Sequence, residues 1–235
     1  GHTADVVAAV TARSGFAIAD VAVSGNRETS EIDVLQAVGL DGWTSLVGFD
    51  AAAARTRIAA LPWVEEVSVR KVYPARLEVE IAERRAFAIW QHGSRLTLIE
   101  RNGAVIAPFG GRRHAALPLV IGMGAAEDGA AFVATVARHP AIAARVKAYI
   151  RVAERRWDLR LESGITVKLP EGAPQAALAE LAALDRDVDL LARDIEAVDM
   201  RLADRLVVRL TPEAAEARAE AIEAAMDGRP AGTRI

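Results

Sequence analysis

An α+β fold is the class that this sequence of 235 residues predicts, and two patterns support the prediction. Residues 63–81 alternate apolar and polar side chains on both sides of Tyr73-Pro74, which is typical of a half-buried antiparallel hairpin. One strand-like segment and two helix-like segments precede this hairpin, and many short alternating segments follow it. The sequence therefore predicts helices that cover one face of the hairpin, and then a mostly antiparallel second sheet with a few helices.

The N-terminal part predicts the element order β-α-α-β-β. Residues 16–24 are rich in apolar side chains and form the first predicted strand. Ser30 is placed to cap a first helix, which Gly39 ends. Asp50 is placed to cap a second helix, which Pro62 ends before the hairpin begins.

The C-terminal part predicts a succession of short strands with helices between them. Asn102-Gly103 separates two alternating runs, which is a strong signal of a tight hairpin turn. The predicted strands are residues 87–91, 96–101, 105–106, 117–121, 156–161, 165–169, 197–202 and 206–210. The predicted helices are residues 130–138, residues 141–147 and a segment after Pro174. An open sheet built from sequential hairpins ends in a free edge, and the final strand is the natural candidate for it.

These patterns divide the chain into four segments. Residues 1–15 form a lead-in that starts with Gly1-His2, which is typical of a cloning remnant, so we expect a soluble fragment whose targeting segment was removed. Residues 16–85 form the first domain, and residues 86–211 form the β-rich second domain. Residues 212–235 lack a wide apolar stripe, so we expect a C-terminal tail that is partly disordered or helical.

Composition excludes several kinds of function. The chain has no cysteine, so disulfides and thiolate metal sites are excluded. A net charge of −3 offers no basic footprint for nucleic acid. No run of about 18 apolar residues is present to span a membrane. The four histidines are far apart in the sequence, so we expect no metal site and no other cofactor.

No residues form a recognisable catalytic or nucleotide-binding motif. Glu78 and Glu80 resemble an acid pair, but strand alternation places both on one solvated face. Gly122 and Gly124 follow a predicted strand without the acidic residue that a dinucleotide site needs about 20 residues later. The loop at residues 110–114 is rich in glycine and arginine, but no helix start follows it to bind an anion. We therefore expect that the protein is not an enzyme.

Two segments each allow two interpretations. Arg155-Arg156, just before Trp157, is either the charged start of a strand or a cationic contact for an acidic segment of a partner. Residues 206–210 are either an ordinary core-facing strand or an edge that accepts a strand from another protein. In the latter interpretation main-chain hydrogen bonds give affinity and side chains give selectivity.

Several short segments occur in an order and spacing that are specific together, although each alone is unspecific. They are Val23-Ser24-Gly25-Asn26, Leu61-Pro62-Trp63-Val64, Val69-Arg70-Lys71-Val72-Tyr73-Pro74, Leu77-Glu78-Val79-Glu80-Ile81-Ala82-Glu83-Arg84, Leu98-Ile99-Glu100-Arg101-Asn102-Gly103, Leu117-Pro118-Leu119, Glu154-Arg155-Arg156-Trp157-Asp158-Leu159 and Val198-Asp199-Met200-Arg201. These segments resemble the FtsQ/DivIB family of bacterial cell-division proteins, and the order β-α-α-β-β resembles a POTRA domain. The resemblance covers residues 16–210.

This resemblance implies a non-enzymatic scaffold of the divisome. A single N-terminal helix, absent here, would anchor the protein in the inner membrane, with both domains in the periplasm at the division septum. The POTRA domain would recruit other division proteins, and the last strands would bind periplasmic segments of FtsB, with FtsL beside it, by strand addition. The implied partner-binding residues are Arg155, Arg156, Arg201, Leu202, Leu206, Val207, Val208, Arg209 and Leu210.

The last strand departs from the family pattern in its side chains. Leu206, Val207 and Arg209 stand where members of the family carry small residues and an aromatic. An alternative class is a POTRA module of an outer-membrane assembly or secretion transporter. That class would require further POTRA repeats or barrel strands of about ten alternating residues, and the sequence contains neither.

Overall fold

The computed structural model describes residues 17–41, 44–202 and 204–227. The chain divides into two compact units, the first ending at Ala86 and the second beginning at Phe87. In the described ranges the first unit holds a three-stranded sheet, and the second holds a nine-stranded sheet. Helices accompany both sheets, so the predicted α+β class is confirmed. The predicted lead-in at residues 1–15 and Phe16 of the first predicted strand lie outside the described residues.

The first unit has the predicted order β-α-α-β-β. Its elements are β1 (Asp20–Ser24), α1 (Glu31–Val38), α2 (Ala51–Ala59), β2 (Val64–Val72) and β3 (Arg76–Glu83). Strand β3 lies in the middle of the sheet, parallel to β1 and antiparallel to β2. The predicted hairpin is therefore confirmed as β2 and β3.

Helix caps and strand alternation explain why these residues form this unit. The Ser30 hydroxyl accepts a hydrogen bond from the Ile32 backbone N–H, and the Asp50 carboxylate accepts one from the Ala53 N–H at 2.9 Å. Both caps are the ones that the sequence predicts. The helices and the alternating residues of β3 then meet in one core, which contains Val34, Val38, Ala54, Ile58, Leu77, Val79 and Ile81.

The end of β3 holds the loop between β1 and α1 in place. The Glu83 carboxylate accepts hydrogen bonds from the backbone N–H groups of Arg27, Glu28 and Thr29 at 3.0, 3.0 and 2.6 Å. Burial raises the pKa of Glu83, but these donors outweigh the burial, and the pKa is lowered as a result. Gly25 in the same loop has a φ of 84°, and a Cβ there would lie 1.9 Å from a carbonyl oxygen of β3. The turn therefore requires glycine.

The second unit is built on one large mixed sheet. Its strands are β4 (Ala88–His92), β5 (Arg95–Ile99), β6 (Val105–Pro108), β7 (Leu119–Ile121), β8 (Val146–Val152), β9 (Arg156–Leu161), β10 (Thr166–Lys168), β11 (Ile195–Asp199) and β12 (Val207–Leu210). Its helices are α3 (Ala125–Val136), α4 (Pro140–Ala143), α5 (Pro174–Val188) and α6 (Pro212–Asp227). The spatial order of the strands is β12-β11-β10-β9-β8-β7-β4-β5-β6.

The sheet contains more parallel pairs than hairpins alone would give. Strand β7 is parallel to both β4 and β8, and β10 is parallel to β11, whereas the other described neighbours are antiparallel. The chain inserts α3 and α4 between β7 and β8, and α5 between β10 and β11. Such crossovers return a strand in the same direction. The mostly antiparallel prediction holds, but the prediction of sequential hairpins throughout the unit is wrong.

Strand β8 is the element that the sequence does not predict. Residues 141–147 are predicted as a helix, whereas α4 ends at Ala143 and β8 begins at Val146. The helix prediction is therefore wrong from Ala144 onward. Strand β8 lies between β7 and β9 in the middle of the sheet, and its neighbouring residues Ala148 and Tyr149 are both buried. The residues of β8 do alternate between Val, Ala or Ile and Lys, Tyr or Arg, but they directly follow the alanine-rich residues 141–145, which favour a helix.

The core of the second unit forms between the sheet and the helices. Trp157, Leu159 and Leu161 are buried on one face of β9, as their alternation predicts. Phe132 of α3 stacks on Trp157 with 4.5 Å between the ring centroids. Leu181 of α5 is fully buried in the same cluster. This core supports the far end of the sheet, where β11 and β12 lie.

Candidate protein-binding edge

Within the described residues, strand β12 ends the nine-stranded sheet and has a single neighbour, β11. The register pairs Val207 with Asp199 and Val208 with Val198. Helix α6 follows directly from Pro212, but its described side chains are almost all exposed. This helix therefore forms no packed cover over the outer side of β12.

One hydrogen bond shows which backbone groups of β12 point away from β11. The Thr211 N–H donates to the Asp194 carbonyl at 3.0 Å, so Thr211 faces β11. Along an antiparallel strand, the N–H and C=O groups of successive residues point alternately to the neighbouring strand and away from it. The register shift in this pairing lies on β11, between Ile195 and Ala197, so the alternation along β12 is unchanged. The N–H and C=O groups of Val208 and Leu210 therefore point to the open side.

The side chains of β12 divide between the core and the solvent. Leu206, Val208 and Leu210 are half-buried and pack against the core of the unit. Val207 and Arg209 are on the opposite face, where Val207 keeps 52% of its surface exposed. One face of the strand thus extends the apolar core to the edge, and the other face presents an exposed valine and an exposed arginine.

Arg201 fixes the end of β11, where the chain turns into β12. Its guanidinium donates to the Asp199 carboxylate at 2.6, 2.8 and 3.0 Å, and its backbone N–H donates to the same carboxylate at 3.2 Å. The side-chain hydrogen bond from Arg201 lowers the pKa of Asp199. Arg201 therefore already has an anionic partner within the chain.

Arg155 and Arg156 differ in their availability to a partner. Arg156 Nε lies 3.4 Å from Asp158 Oδ1, and both side chains are largely buried. Burial raises the pKa of Asp158, and the nearby cations, Arg156 first among them, offset only part of this shift. Arg155 is exposed in the turn before β9, and no described carboxylate forms an ion pair with it. Of the two predicted contacts, Arg155 is the cation that is free to meet an acidic group.

A charged row crosses the outer face of the sheet toward β12. Lys168 of β10 is paired in register with Asp158 of β9 and with Asp199 of β11, and Asp199 is paired with Val207. The sequence interpretation does not single out this row. Strand alternation places Asp158 on the face of β9 that is turned away from the hydrophobic core. Only the strand register shows which charged residues are neighbours.

A groove of about 390 Å³ lies beside the start of β12, and its lining combines apolar residues with Glu180, Asp204 and Arg205. Met200, Leu202 and Leu206 line one side of it, and Ala173 and Ala177 at the start of α5 line the other. Leu202 is 57% exposed. The small alanine side chains leave room for an apolar side chain of a partner, which the sequence alone does not reveal.

The predicted partner-binding residues thus fall into two groups. Arg201, Leu202 and residues 206–210 lie together at the β12 edge. Arg155 and Arg156 lie at the start of β9, which β10 and β11 separate from β12. Their role in binding stays a prediction.

Other sites considered in the sequence have ordinary structural roles. Glu78 forms an ion pair with Arg70 across the β2–β3 ladder at 3.1 Å, so it is not half of an acid pair. Among the described residues, no group of histidine, aspartate and glutamate side chains could hold a metal ion. The same part of the chain contains no helix with the length and apolar character needed to cross a membrane.

The fold and this edge define a two-domain α+β protein in which a small β-α-α-β-β domain precedes a large sheet with an open end strand. Two family comparisons identify these domains. Residues 16–84 match the family described as "POTRA domain, FtsQ-type". Residues 88–201 match the family described as "Cell division protein FtsQ/DivIB, C-terminal".

Whole-chain comparisons agree with both matches. The chain is 53% identical over 224 residues to the cell division protein FtsQ of Agrobacterium fabrum, which covers 95% of this chain and 71% of that protein. It is 55% identical over 218 residues to the cell division protein FtsQ of Rhizobium meliloti, which covers 93% of this chain and 71% of that protein. The FtsQ protein of Caulobacter vibrioides is 34% identical over 198 residues, or 84% of this chain and 66% of that protein.

The chain therefore belongs to the FtsQ/DivIB family of cell division proteins, and its first domain is a POTRA domain of the FtsQ type. The resemblance noted in the sequence is confirmed. Membership of this family implies interactions with other proteins of the division machinery, and it indicates the division septum as the place of action.

Proposed function

We propose that this chain is a non-enzymatic scaffold of the divisome that binds an extended segment of a partner as an additional strand beside β12. The observation that carries this proposal is the outward direction of the N–H and C=O groups of Val208 and Leu210, at a sheet edge that no described strand covers. A partner strand would satisfy these groups by main-chain hydrogen bonds, which do not depend on the side chains of β12.

The partner that family membership favours is the periplasmic segment of FtsB, with FtsL beside it. The POTRA domain recruits other proteins of the division machinery. The complete protein is a single-pass protein of the inner membrane, and both domains act in the periplasm at the septum. These parts of the proposal rest on the family and not on a contact within this chain.

The residues around the edge have different roles in this proposal. Val208 and Leu210 supply the main-chain hydrogen bonds, and Leu202 offers an apolar contact in the groove beside α5. Arg201 positions the loop before β12 through its pair with Asp199 and does not need to touch the partner.

Proline substitutions at two neighbouring positions test the proposal. Val208→Pro removes an N–H that points outward, so the domain keeps its fold while the partner loses a hydrogen bond and close approach. We expect about tenfold weaker binding of a synthetic peptide with the periplasmic sequence of FtsB from the same organism, measured by calorimetry. Val207→Pro removes an N–H that faces β11, so it lowers the melting temperature of the domain itself.

Circular dichroism and thermal melting of each variant separate lost binding from lost folding. A well-folded Val208→Pro variant that binds the peptide with unchanged affinity would contradict strand addition at β12. Absence of binding by the unsubstituted chain, with the FtsL periplasmic segment present as well as absent, would refute the choice of partner.

A further inference from the structure

A second row of residues crosses the outer face of the sheet, one step from the charged row already described. The register aligns Arg160 of β9 with Thr166 of β10, and it places Ala197 of β11 beside Thr166 and opposite Arg209 of β12. Because residues two apart on a strand share a face, this row lies on the same face as Lys168 and Val207. Two arginines thus stand at the ends of a row whose middle residues are small.

The small middle residues leave a shallow groove of about 430 Å³ on this face. Arg160, Thr166, Lys168, Ala197 and Arg209 line it. Arg160 is held over one end because its Nη1 donates to the Gly164 carbonyl at 2.6 Å. Arg209 lies at the other end, on the strand that forms the edge of the sheet.

The two arginines are the uncompensated charges of this groove. Asp158 and Asp199 lie on either side of Lys168, and the charge of Lys168 acts on both of these carboxylates. No described carboxylate forms an ion pair with Arg160 or Arg209. Glu196 is the carboxylate that lines the groove, and it cannot neutralise both arginines. The lining of the groove, with Arg160, Lys168 and Arg209 against Glu196, is therefore net positive.

We infer that the strand captured at β12 carries an acidic residue directly across from Arg209 and an apolar residue across from Val207. This inference rests on the strand addition proposed above and adds the selectivity that main-chain hydrogen bonds lack. Opposite charges in directly opposed positions of neighbouring strands attract each other, and like charges repel. Because Val207 is exposed, an apolar residue directly across from it on the captured strand would bury apolar surface of both side chains.

The other face of the captured strand is apolar. Its residues lie beside Leu206, Val208 and Leu210, which already extend the core of the unit toward the edge. The partner segment that fits β12 therefore alternates apolar residues on the core side with one acidic and one apolar residue on the outer side.

Charge reversal on both molecules tests this inference. We expect Arg209→Glu to weaken binding of the FtsB periplasmic peptide about tenfold, because an attraction becomes a repulsion. Replacing each acidic residue of the peptide by lysine in turn should identify one position that weakens binding to the unsubstituted chain and restores binding to the Arg209→Glu variant. Arg138→Glu makes the same charge change on an exposed residue at the end of α3 and should leave the affinity unchanged.

The outcomes separate this inference from the proposed function. If Val208→Pro weakens binding but Arg209→Glu does not, strand addition is supported and the acidic partner residue is refuted. Arg209 would then be a solvated charge that protects the edge from self-association. Equal losses in Arg209→Glu and Arg138→Glu would likewise refute it, since they would show an effect of net charge alone. If neither Val208→Pro nor Arg209→Glu affects binding, the proposed function at this edge fails as well.

Discussion

The Glu83 carboxylate is predicted to be the main support of the loop between β1 and α1 in the POTRA domain. It accepts hydrogen bonds from three consecutive backbone N–H groups, at residues 27 to 29, within 3.0 Å. The substitution Glu83→Gln removes the negative charge and replaces one acceptor oxygen by an NH₂ group that would face these donors. Hydrogen bonds to a charged group contribute about 1.5–3 kcal/mol each, and the remaining carbonyl of glutamine retains part of this stabilisation. We expect a loss of about 2 kcal/mol in local stability.

Hydrogen exchange measured on the whole chain checks this value directly. A loss of about 2 kcal/mol predicts roughly thirtyfold faster exchange of the amides of Arg27, Glu28 and Thr29, since 1.36 kcal/mol is a factor of ten. Glu80→Gln on the same strand is the matched control, because Glu80 is exposed and accepts no described hydrogen bond of this kind. Its effect should stay within about 0.5 kcal/mol.

The same substitution has a predicted pH dependence. Because the pKa of Glu83 is lowered in the folded chain from its ordinary value of 4.5, the stabilisation is complete above that value. It is lost as the pH falls through the lowered pKa, so the difference between the unsubstituted chain and Glu83→Gln should close in acid. Equal exchange rates in Glu83→Gln and Glu80→Gln at neutral pH would refute the role assigned to this carboxylate.

Four further predictions concern the second domain and a helix cap. Asp199→Asn should lower stability by about 0.5–1 kcal/mol at pH 7 in urea unfolding, after allowance for solvent screening of the half-exposed Arg201 partner. Asp158→Asn should not destabilise the domain at pH 7, because the raised pKa of Asp158 means that folding favours its neutral form, and a clear loss of stability would contradict this. Leu159→Ala should cost about 2–5 kcal/mol, since Leu159 is fully buried, and a smaller shift of the urea midpoint would place it outside the core. Ser30→Ala should cost about 1 kcal/mol through the lost helix cap, visible as a lower melting temperature.

The open edge connects the fold of this protein with its proposed function. A sheet that ends in an unpaired strand carries a risk of unwanted association, and an exposed arginine on that strand reduces the risk. Arg209 meets this description. The same charge can select a partner segment with an acidic residue, so protection of the free protein and recognition of its partner require the same side chain.

The sequence by itself determined the first domain nearly completely. Its caps at Ser30 and Asp50, and the alternation of β2 and β3, are local patterns, and local hydrogen bonds and burial of one strand face follow from them directly. The sequence also predicted β12 as the free end of the sheet, from an open sheet of hairpins, and β12 does lie at the end of the described sheet.

Only the tertiary structure decided the features that depend on pairing between distant segments. Strand β8 is not recognised in the sequence because it directly follows an alanine-rich, helix-like segment, and the sheet pairs it with segments that are distant in the chain. The parallel pairs β7–β8 and β10–β11 follow from helical crossovers. The outward direction of Val208 and the alignment of Arg160 with Arg209 across four strands depend on register. A register shift of one residue would exchange the two faces of a strand. The sequence of β12 alone does not determine its register with the neighbouring strands.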